Sequence, residues 1–239
     1  MKAYKGFNRD MTCRGFQFED GKTYEHEGDV RLCESGFHAC EDPMDCLRYY
    51  DPCTSVYHEV DLDGVSDERK EDTKVVGKKI RIGARMSVKD IVKASIDYVF
   101  ASCKDAKDGD YASGYGSRQA ASGKWSSQAA SGKWSSQAAS GHGSSQAASG
   151  DGSSQAASGD GSRQAASGDG SRQETTGKNC VMMSAGDGGK AKGKLGSWIV
   201  LTEWENGVPN VVARRIDGVE VKEDVWYKLE NGVLVEAQE

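Results

Sequence analysis

The sequence predicts a mainly β protein whose centre is a parallel β-solenoid, or β-roll, of nonapeptide repeats. A small N-terminal α+β domain and a C-terminal antiparallel β meander are expected to cap it. Three observations lead to this prediction: a repeat in strict register, a composition that is only 36% hydrophobic with 30 Gly and 3 Pro in 239 residues, and ordinary patterning in both flanks. One continuous apolar core of this size is thereby excluded.

The repeat begins at Ala112 with ASGYGSRQA, continues through six similar units, and ends in TTGKNCVMM and SAGDGGKAK. A glycine recurs at every ninth position from Gly114 to Gly186 without insertion or deletion. One unit suits a short strand and a turn, so two units are expected to form an 18-residue coil. Roughly four coils at about 4.8 Å each predict a rod of about 20 Å.

Alternation within each strand predicts which columns of the repeat face inward. Ser117, Gln119 and Ala121 share one face, and position 118, which varies between Arg and Ser, points outward. The inward glutamines of stacked units are expected to form an amide ladder. Residues 112–177 contain no Leu, Ile, Val, Phe or Met, so hydrophobic burial is small. A disordered Gly/Ser-rich linker is the alternative, but a linker does not need register.

Residues 1–102 are predicted to form the N-terminal α+β domain. One helix, Pro43–Tyr50, follows a plausible cap at Asp42, and a second, Ser87–Phe100, starts with a Ser-x-x-Asp capping pattern. β-branched and aromatic residues between turn signals predict the strands. These strands are Ala3–Phe7, Lys22–His26, Ser55–Leu62 and Lys74–Ile82.

Residues 103–193 are assigned to the solenoid and residues 194–239 to the C-terminal meander. Hairpin turn chemistry at Asn206-Gly207, Asp217-Gly218 and Asn231-Gly232 separates the strands of the meander. The predicted strands are Ser197–Trp204, Val211–Ile216, Val225–Leu229 and Val233–Glu236.

The seven cysteines are an odd number in a chain whose start has no export-signal pattern, which favours free thiols. Five residues suggest zinc, but their spacing does not match the paired C-x2–4-C pattern of structural zinc sites. Ordinary buried cysteines are the preferred interpretation, and no metal, cofactor or catalytic residue is expected. The five zinc candidates are Cys33, His38, Cys40, Cys46 and Cys53.

Charge and hydropathy exclude further classes of protein. The net charge of −6 gives no overall attraction to nucleic acid or anionic lipid. No apolar run reaches the length of about 18 residues that a spanning helix needs. We therefore expect a cytoplasmic protein without a membrane partner.

The flanks are similar to a family of uncharacterised phage and prophage proteins. The resemblance is carried by CRGFQFE, by GFHACEDP, which is its most distinctive part, and by a tail that contains GSWIVLTEWENG. Relatives carry variable numbers of Ala/Gly/Ser-rich nonapeptides between such flanks. The resemblance covers essentially the whole chain and implies a viral or prophage origin with no established catalytic role. Expression in a bacterial host cell would follow.

Two residues after each corner glycine change from unit to unit while the rest of the repeat stays constant. This variation is expected where a scaffold displays side chains, because exposed Trp beside Lys can stack on bases or sugars or anchor a protein. The alternative is that the Trp residues seal an oligomer contact or pack on the N-terminal domain. The candidate partner-binding residues are Tyr115, Lys124, Trp125, Lys133, Trp134, His142, Arg163 and Arg172.

The function that we expect is that of a non-enzymatic phage interaction protein whose solenoid binds a host protein or protein–nucleic-acid complex. Inhibition of a host defence system, of the anti-CRISPR type, is its expected purpose. A structural virion or fibre-like protein that works as a homo-oligomer, for example a trimer, is one alternative. The other alternative is an enzyme whose N-terminal domain pairs Cys40 with His38 or His58.

Overall fold

The secondary structure is mainly β, with 47% strand and 10% helix, as the sequence predicts. The computed structural model describes residues 1–68, 73–105 and 110–238. The chain divides into two units, Met1–Ile91 and Val92–Glu239. Among the described residues, no helix has both the length and the apolar character to cross a membrane.

The strands of the N-terminal unit pair antiparallel and form a closed sheet. Strand β1 pairs with β5 and β6, and β7 pairs with β4, β5 and β6, so β1, β5, β7 and β6 form a ring. Phe7, Leu62 and Ile80 lie in the apolar core that these strands enclose. The strands are β1 (Lys2–Asn8), β2 (Thr12–Cys13), β3 (Phe16–Gln17), β4 (Thr23–Glu25), β5 (Phe37–Cys40), β6 (Ser55–Val65) and β7 (Lys74–Met86).

Two helices occur where the sequence predicts them. The first is a 3₁₀ helix, Pro43–Arg48, whose cap Asp42 accepts the Met44 N–H at 3.0 Å. It is two residues shorter than predicted and ends at Arg48, with Tyr49 as its C-cap. The second is α1, Val88–Asp105.

The start of α1 is fixed by the predicted capping residues. The N–H and hydroxyl of Ser87 donate to the Asp90 carboxylate at 2.9 and 2.6 Å, which satisfies donors at the helix end. The helix has one buried face, as its hydrophobic spacing predicts. That face consists of Ile91, Val92, Ser95, Ile96, Val99 and Cys103.

The solenoid makes about five turns over residues 111–200. Each strand pairs in parallel with the second strand after it, as when Gln128 pairs with Gln146, so one coil contains 18 residues, as predicted. The strands are β8 (Asp110–Ala112), β9 (Arg118–Ala121), β10 (Ser127–Ala130), β11 (Ser136–Ala139), β12 (Ser145–Ala148), β13 (Ser154–Ala157), β14 (Arg163–Ala166), β15 (Arg172–Thr175), β16 (Val181–Ser184) and β17 (Lys190–Lys192).

Even-numbered and odd-numbered repeat strands build two separate sheets. The first sheet contains β8, β10, β12, β14 and β16, and the second contains β9, β11, β13, β15 and β17. The turns that leave the first sheet form the first corner, from Tyr115 to Gly188, and those that leave the second form the second corner, from Lys124 to Gly196.

The C-terminal strands are antiparallel, as predicted, but they form two hairpins instead of one meander. Strands β18 (Trp198–Glu205) and β19 (Val208–Arg215) extend the first sheet. Strands β20 (Trp226–Glu230) and β21 (Val233–Ala237) extend the second. The split follows from the solenoid, because each sheet presents its own edge to which a hairpin can add.

The predicted amide ladder fills the interior of the coils. Gln146 Nε2 donates to Gln128 Oε1 at 3.0 Å, and Gln164 Nε2 donates to Gln146 Oε1 at 2.8 Å. The same Gln146 Nε2 also donates to the carbonyl of Ala156 in the other sheet at 3.1 Å. Each amide therefore joins two coils and also joins the two sheets.

The outer faces of the two sheets differ although their repeat sequences are alike. In the first sheet the outer column Ala129, Ala147 and Ala165 is at most 1% exposed. Tyr111 lies in register with this column, and its ring contacts Phe100 of α1 at 5.4 Å between centroids. Phe100 of α1 therefore packs at the start of this column.

The second sheet leaves its outer column of alanines open. Ala120, Ala138 and Ala156 are exposed and line a shallow groove of about 600 Å³. One sheet therefore has two covered faces, and the other has one.

Close approach of neighbouring coils explains the repeat glycine from Gly132 onward. A Cβ on Gly150 would lie 2.2 Å from the Gly132 carbonyl oxygen, and a Cβ on Gly141 would lie 1.8 Å from that of Gly123. These distances are far below van der Waals contact. Any other residue at these positions would force the coils apart.

We expect Gly150→Ala to destabilise the protein by about 1 to 3 kcal/mol, the usual range for overpacking. Gly123→Ala is the matched control, because a Cβ at this equivalent position of the first coil has nothing within 4 Å. Thermal unfolding followed by circular dichroism measures both variants. Equal Tm values for the two would contradict the close-approach explanation.

Candidate functional site

The variable residues of the repeat lie at the two corners, where the backbone is left-handed. At most corners the left-handed position is occupied by Gly, as at Gly143 and Gly152, with φ of 70 and 66°. At two corners it is occupied by Trp125 and Trp134, each with φ of 60°. Left-handed backbone is uncommon outside Gly and Asn, so these two Trp residues adopt a backbone conformation that Trp normally avoids.

Each indole packs over the glycine of the next coil. A Cβ on Gly143 would lie 2.3 Å from the Trp125 ring, and a Cβ on Gly152 would lie 2.6 Å from the Trp134 ring. His142 also contacts the Trp125 ring edge to face at 5.6 Å. Both indoles nevertheless keep exposed surface, 38% for Trp125 and 60% for Trp134.

Aspartates at later corners support the backbone of the following coil. The carboxylate of Asp160 accepts the Lys178 N–H at 2.8 Å, and that of Asp169 accepts the Asp187 N–H at 2.8 Å. Asp151 also pairs with Lys133 at 2.9 Å. The hydrogen bond from Lys133 lowers the pKa of Asp151. These carboxylates therefore have a structural role.

The predicted partner-binding residues do not share one surface. Tyr115, Lys133 and Trp134 belong to the first corner, whereas Lys124, Trp125 and His142 belong to the second, because successive repeats lie in different sheets. The exposed members are Tyr115, Lys124, Trp125, Lys133, Trp134, His142 and Arg172.

Arg163 is the exception to the predicted outward position. It is only 5% exposed, and its guanidinium donates to Ser145 Oγ at 3.1 Å and to the Gly143 carbonyl at 3.2 Å. It lies on the outer face of the first sheet, which is covered. The guanidinium is therefore not available to a partner.

The N-terminal unit contains a cavity of about 520 Å³. Its wall includes aromatic side chains and three cationic ones. The cationic residues are Lys5, Arg14 and Lys74. Glu34, which is exposed, is the acidic residue in the described lining.

Lys5 is the most buried of these cations, at 7% exposure. Its ammonium donates to the His38 carbonyl at 2.8 Å and lies 5.5 and 5.9 Å from the ring centroids of Phe7 and Phe18. No carboxylate of a described residue lies within salt-bridge distance of it. The sequence indicates that Lys5 is buried, since alternation puts it on the same strand face as Ala3 and Phe7.

The pKa of His38 is lowered by burial and by the positive charge around the cavity. Burial lowers its pKa to about 4, and the charges of Lys5, Lys74 and Arg14 contribute. Its Nε2 accepts the Cys33 N–H at 2.8 Å. The imidazole is therefore neutral near pH 7.

Four of the five zinc candidates line this cavity, although they do not all come from one element; they are Cys33, His38, Cys40 and Cys46. All seven cysteines are free thiols. His58 Nδ1 lies 3.1 Å from the Gly83 carbonyl and 3.5 Å from an Asp20 carboxylate oxygen. Within residues 1–68, 73–105 and 110–238, no group of three or more His, Cys, Asp or Glu is placed to hold a metal ion.

These features define a β-solenoid protein with a small N-terminal β domain. The family model described as "Domain of unknown function (DUF7666)" matches residues 1–94, which agrees with the expectation of an uncharacterised N-terminal domain. No curated protein and no solved structure matches the chain.

We expect an NMR titration of His38 to give a midpoint near pH 4. The folded pKa is below the ordinary 6.5, so the stability that His38 contributes is present above pH 6.5 and is lost as the pH falls toward 4. Lys5→Met removes one repelling charge and should raise the pKa of His38. An unchanged midpoint in this variant would show that Lys5 does not act on the imidazole.

Proposed function

We propose that the protein is a non-enzymatic binding scaffold whose aromatic corners contact a host macromolecule. The observation that carries the proposal is the placement of Trp125 and Trp134 in left-handed backbone. A non-Gly residue there costs about 1 to 3 kcal/mol, and such strain concentrates at functional sites. Glycine, which occupies this position in neighbouring coils, would avoid the cost.

The chemistry of the corners supports a macromolecular partner. Trp and Tyr rings with part of their surface exposed are typical anchors of protein interfaces and also stack on nucleobases. Lys124 and Lys133 precede the two indoles and add positive charge. A protein or a protein–nucleic-acid complex fits this combination.

The resemblance of the flanks to phage proteins extends the proposal to a biological purpose. A phage protein that binds a macromolecule in the host cytoplasm, without chemistry of its own, can act by obstructing a host defence complex. We therefore propose an inhibitor of a host defence system.

The test is the double variant Trp125→Gly/Trp134→Gly, which restores the residue found at this position in neighbouring coils. Its Tm should remain close to that of the wild type, because relief of backbone strain offsets lost ring packing. Its affinity for the partner should fall about tenfold or more. Affinity capture from a bacterial host lysate, quantified by mass spectrometry and followed by titration of the captured partner, measures the loss.

Asn179→Gly is the matched control, since it changes a left-handed corner residue, with φ of 54°, without removing an aromatic ring. This variant should keep every partner. The proposal is wrong if the double variant retains the wild-type partners at wild-type affinity.

The open alanine face of the second sheet supports a second candidate function, self-association as a structural oligomer. Small side chains let another surface approach closely, and the equivalent column of the first sheet is already covered. A virion or fibre-like protein would use such a contact between copies.

Light scattering separates this candidate from the first. Self-association requires a mass of two or more times the 25.7 kDa chain, and Ala138→Glu, in the middle of the groove, should reduce it to one chain. Ser131→Glu, at an exposed turn, serves as the control and should leave the mass unchanged. A wild-type mass of one chain would exclude the candidate.

A further inference from the structure

We propose that the cavity of the N-terminal unit is a binding site for a small phosphate monoester with a planar ring, of nucleoside monophosphate size. The site lies wholly within residues 4–74 and does not involve the solenoid. The proposal is therefore independent of the function proposed for the corners.

The first argument is the buried charge of Lys5, which has no carboxylate of a described residue within salt-bridge distance. Arg14, Lys74 and Glu34 line the same cavity. Glu34 is itself exposed and lies 3.9 Å from Arg31. Buried charges in proteins are normally paired, and a ligand dianion would supply the missing negative charge at Lys5.

The second argument is the fixed position of the side chains in the wall. Because His38 Nε2 accepts the Cys33 N–H, its imidazole holds a defined orientation in the cavity lining. Lys74 is held in turn over the Tyr49 ring, with Nζ 4.0 Å from the centroid.

The third argument is the aromatic part of the wall. Phe16 and Tyr49 line the cavity and are each 48% exposed, so each has ring surface available to a ligand. Aromatic faces beside cationic groups suit a planar ring that bears an anion. A volume of about 520 Å³ lies in the usual range of small-molecule sites, about 300 to 1,000 Å³.

The experiment titrates the full chain with AMP, GMP, CMP, UMP and phenyl phosphate by calorimetry, with the corresponding nucleosides and phenol as uncharged matches. At least one phosphate monoester should bind, and its uncharged match should bind about tenfold more weakly or not at all. The anion should also raise the pKa of His38 in the NMR titration, because it screens the neighbouring cations.

Two variants locate the site. Arg14→Gly relieves a left-handed residue at φ of 50°, so the fold should be kept, and affinity should fall about tenfold. Lys5→Met should abolish binding, with circular dichroism as the check on folding. Asn179→Gly, in the solenoid, is the control and should bind normally.

Three results would overturn the proposal. The first is that no phosphate monoester at millimolar concentration binds or shifts the His38 resonance. The second is that the uncharged matches bind as tightly as the phosphates, and the third is that Arg14→Gly binds unchanged. None of these results would affect the proposal for the corners, which is measured on a different part of the chain.

Discussion

The solenoid depends on how closely each coil approaches the next at its corners. The carbonyl of Gly132 occupies the place where a side chain on Gly150 would begin, so the corner admits only glycine at this position. Stacking at this distance keeps the coils in register, and the register brings identical side chains of successive coils together. The amide ladder, the aspartate contacts and the packing of the indoles over glycine all follow from it.

Inside this frame, amides replace the apolar side chains of an ordinary core. An interior Gln such as Gln146 binds the coil on either side and the opposite sheet, so burial of a polar group is compensated by hydrogen bonds. The ladder ends where Met182 stands in register with Gln164, and the Gln164 Oε1 atom has no partner among the described residues. From that coil onward Met182, Ile199 and Leu201 form an apolar core, and the C-terminal hairpins add to it.

The repeat itself made the solenoid predictable, because nine-residue spacing and strand alternation determine coil length and interior columns before any tertiary contact is known. Other features depend on information that one repeat does not contain. Arg163 and Arg172 occupy the same repeat position, yet only Arg163 is buried, since the outer face of the first sheet is covered and that of the second is open. The cavity was missed for a similar reason: Lys5 and Lys74 are distant in sequence and reach the same lining only when β1 and β7 pair with β5.

Chemistry also changes along the solenoid, and this limits where a partner can bind. The aromatic corner residues lie in the first two coils together with Lys124 and Lys133, whereas Asp160, Asp169 and Asp187 occupy later ones. The ion pair between Lys133 and Asp151 lies at the border. Coils stack at about 4.8 Å, so the aromatic part of each corner spans only two or three coils. A partner that uses both indoles must therefore reach two opposite corners of the same few coils, which favours a partner that wraps around this part of the solenoid over one that lies along it.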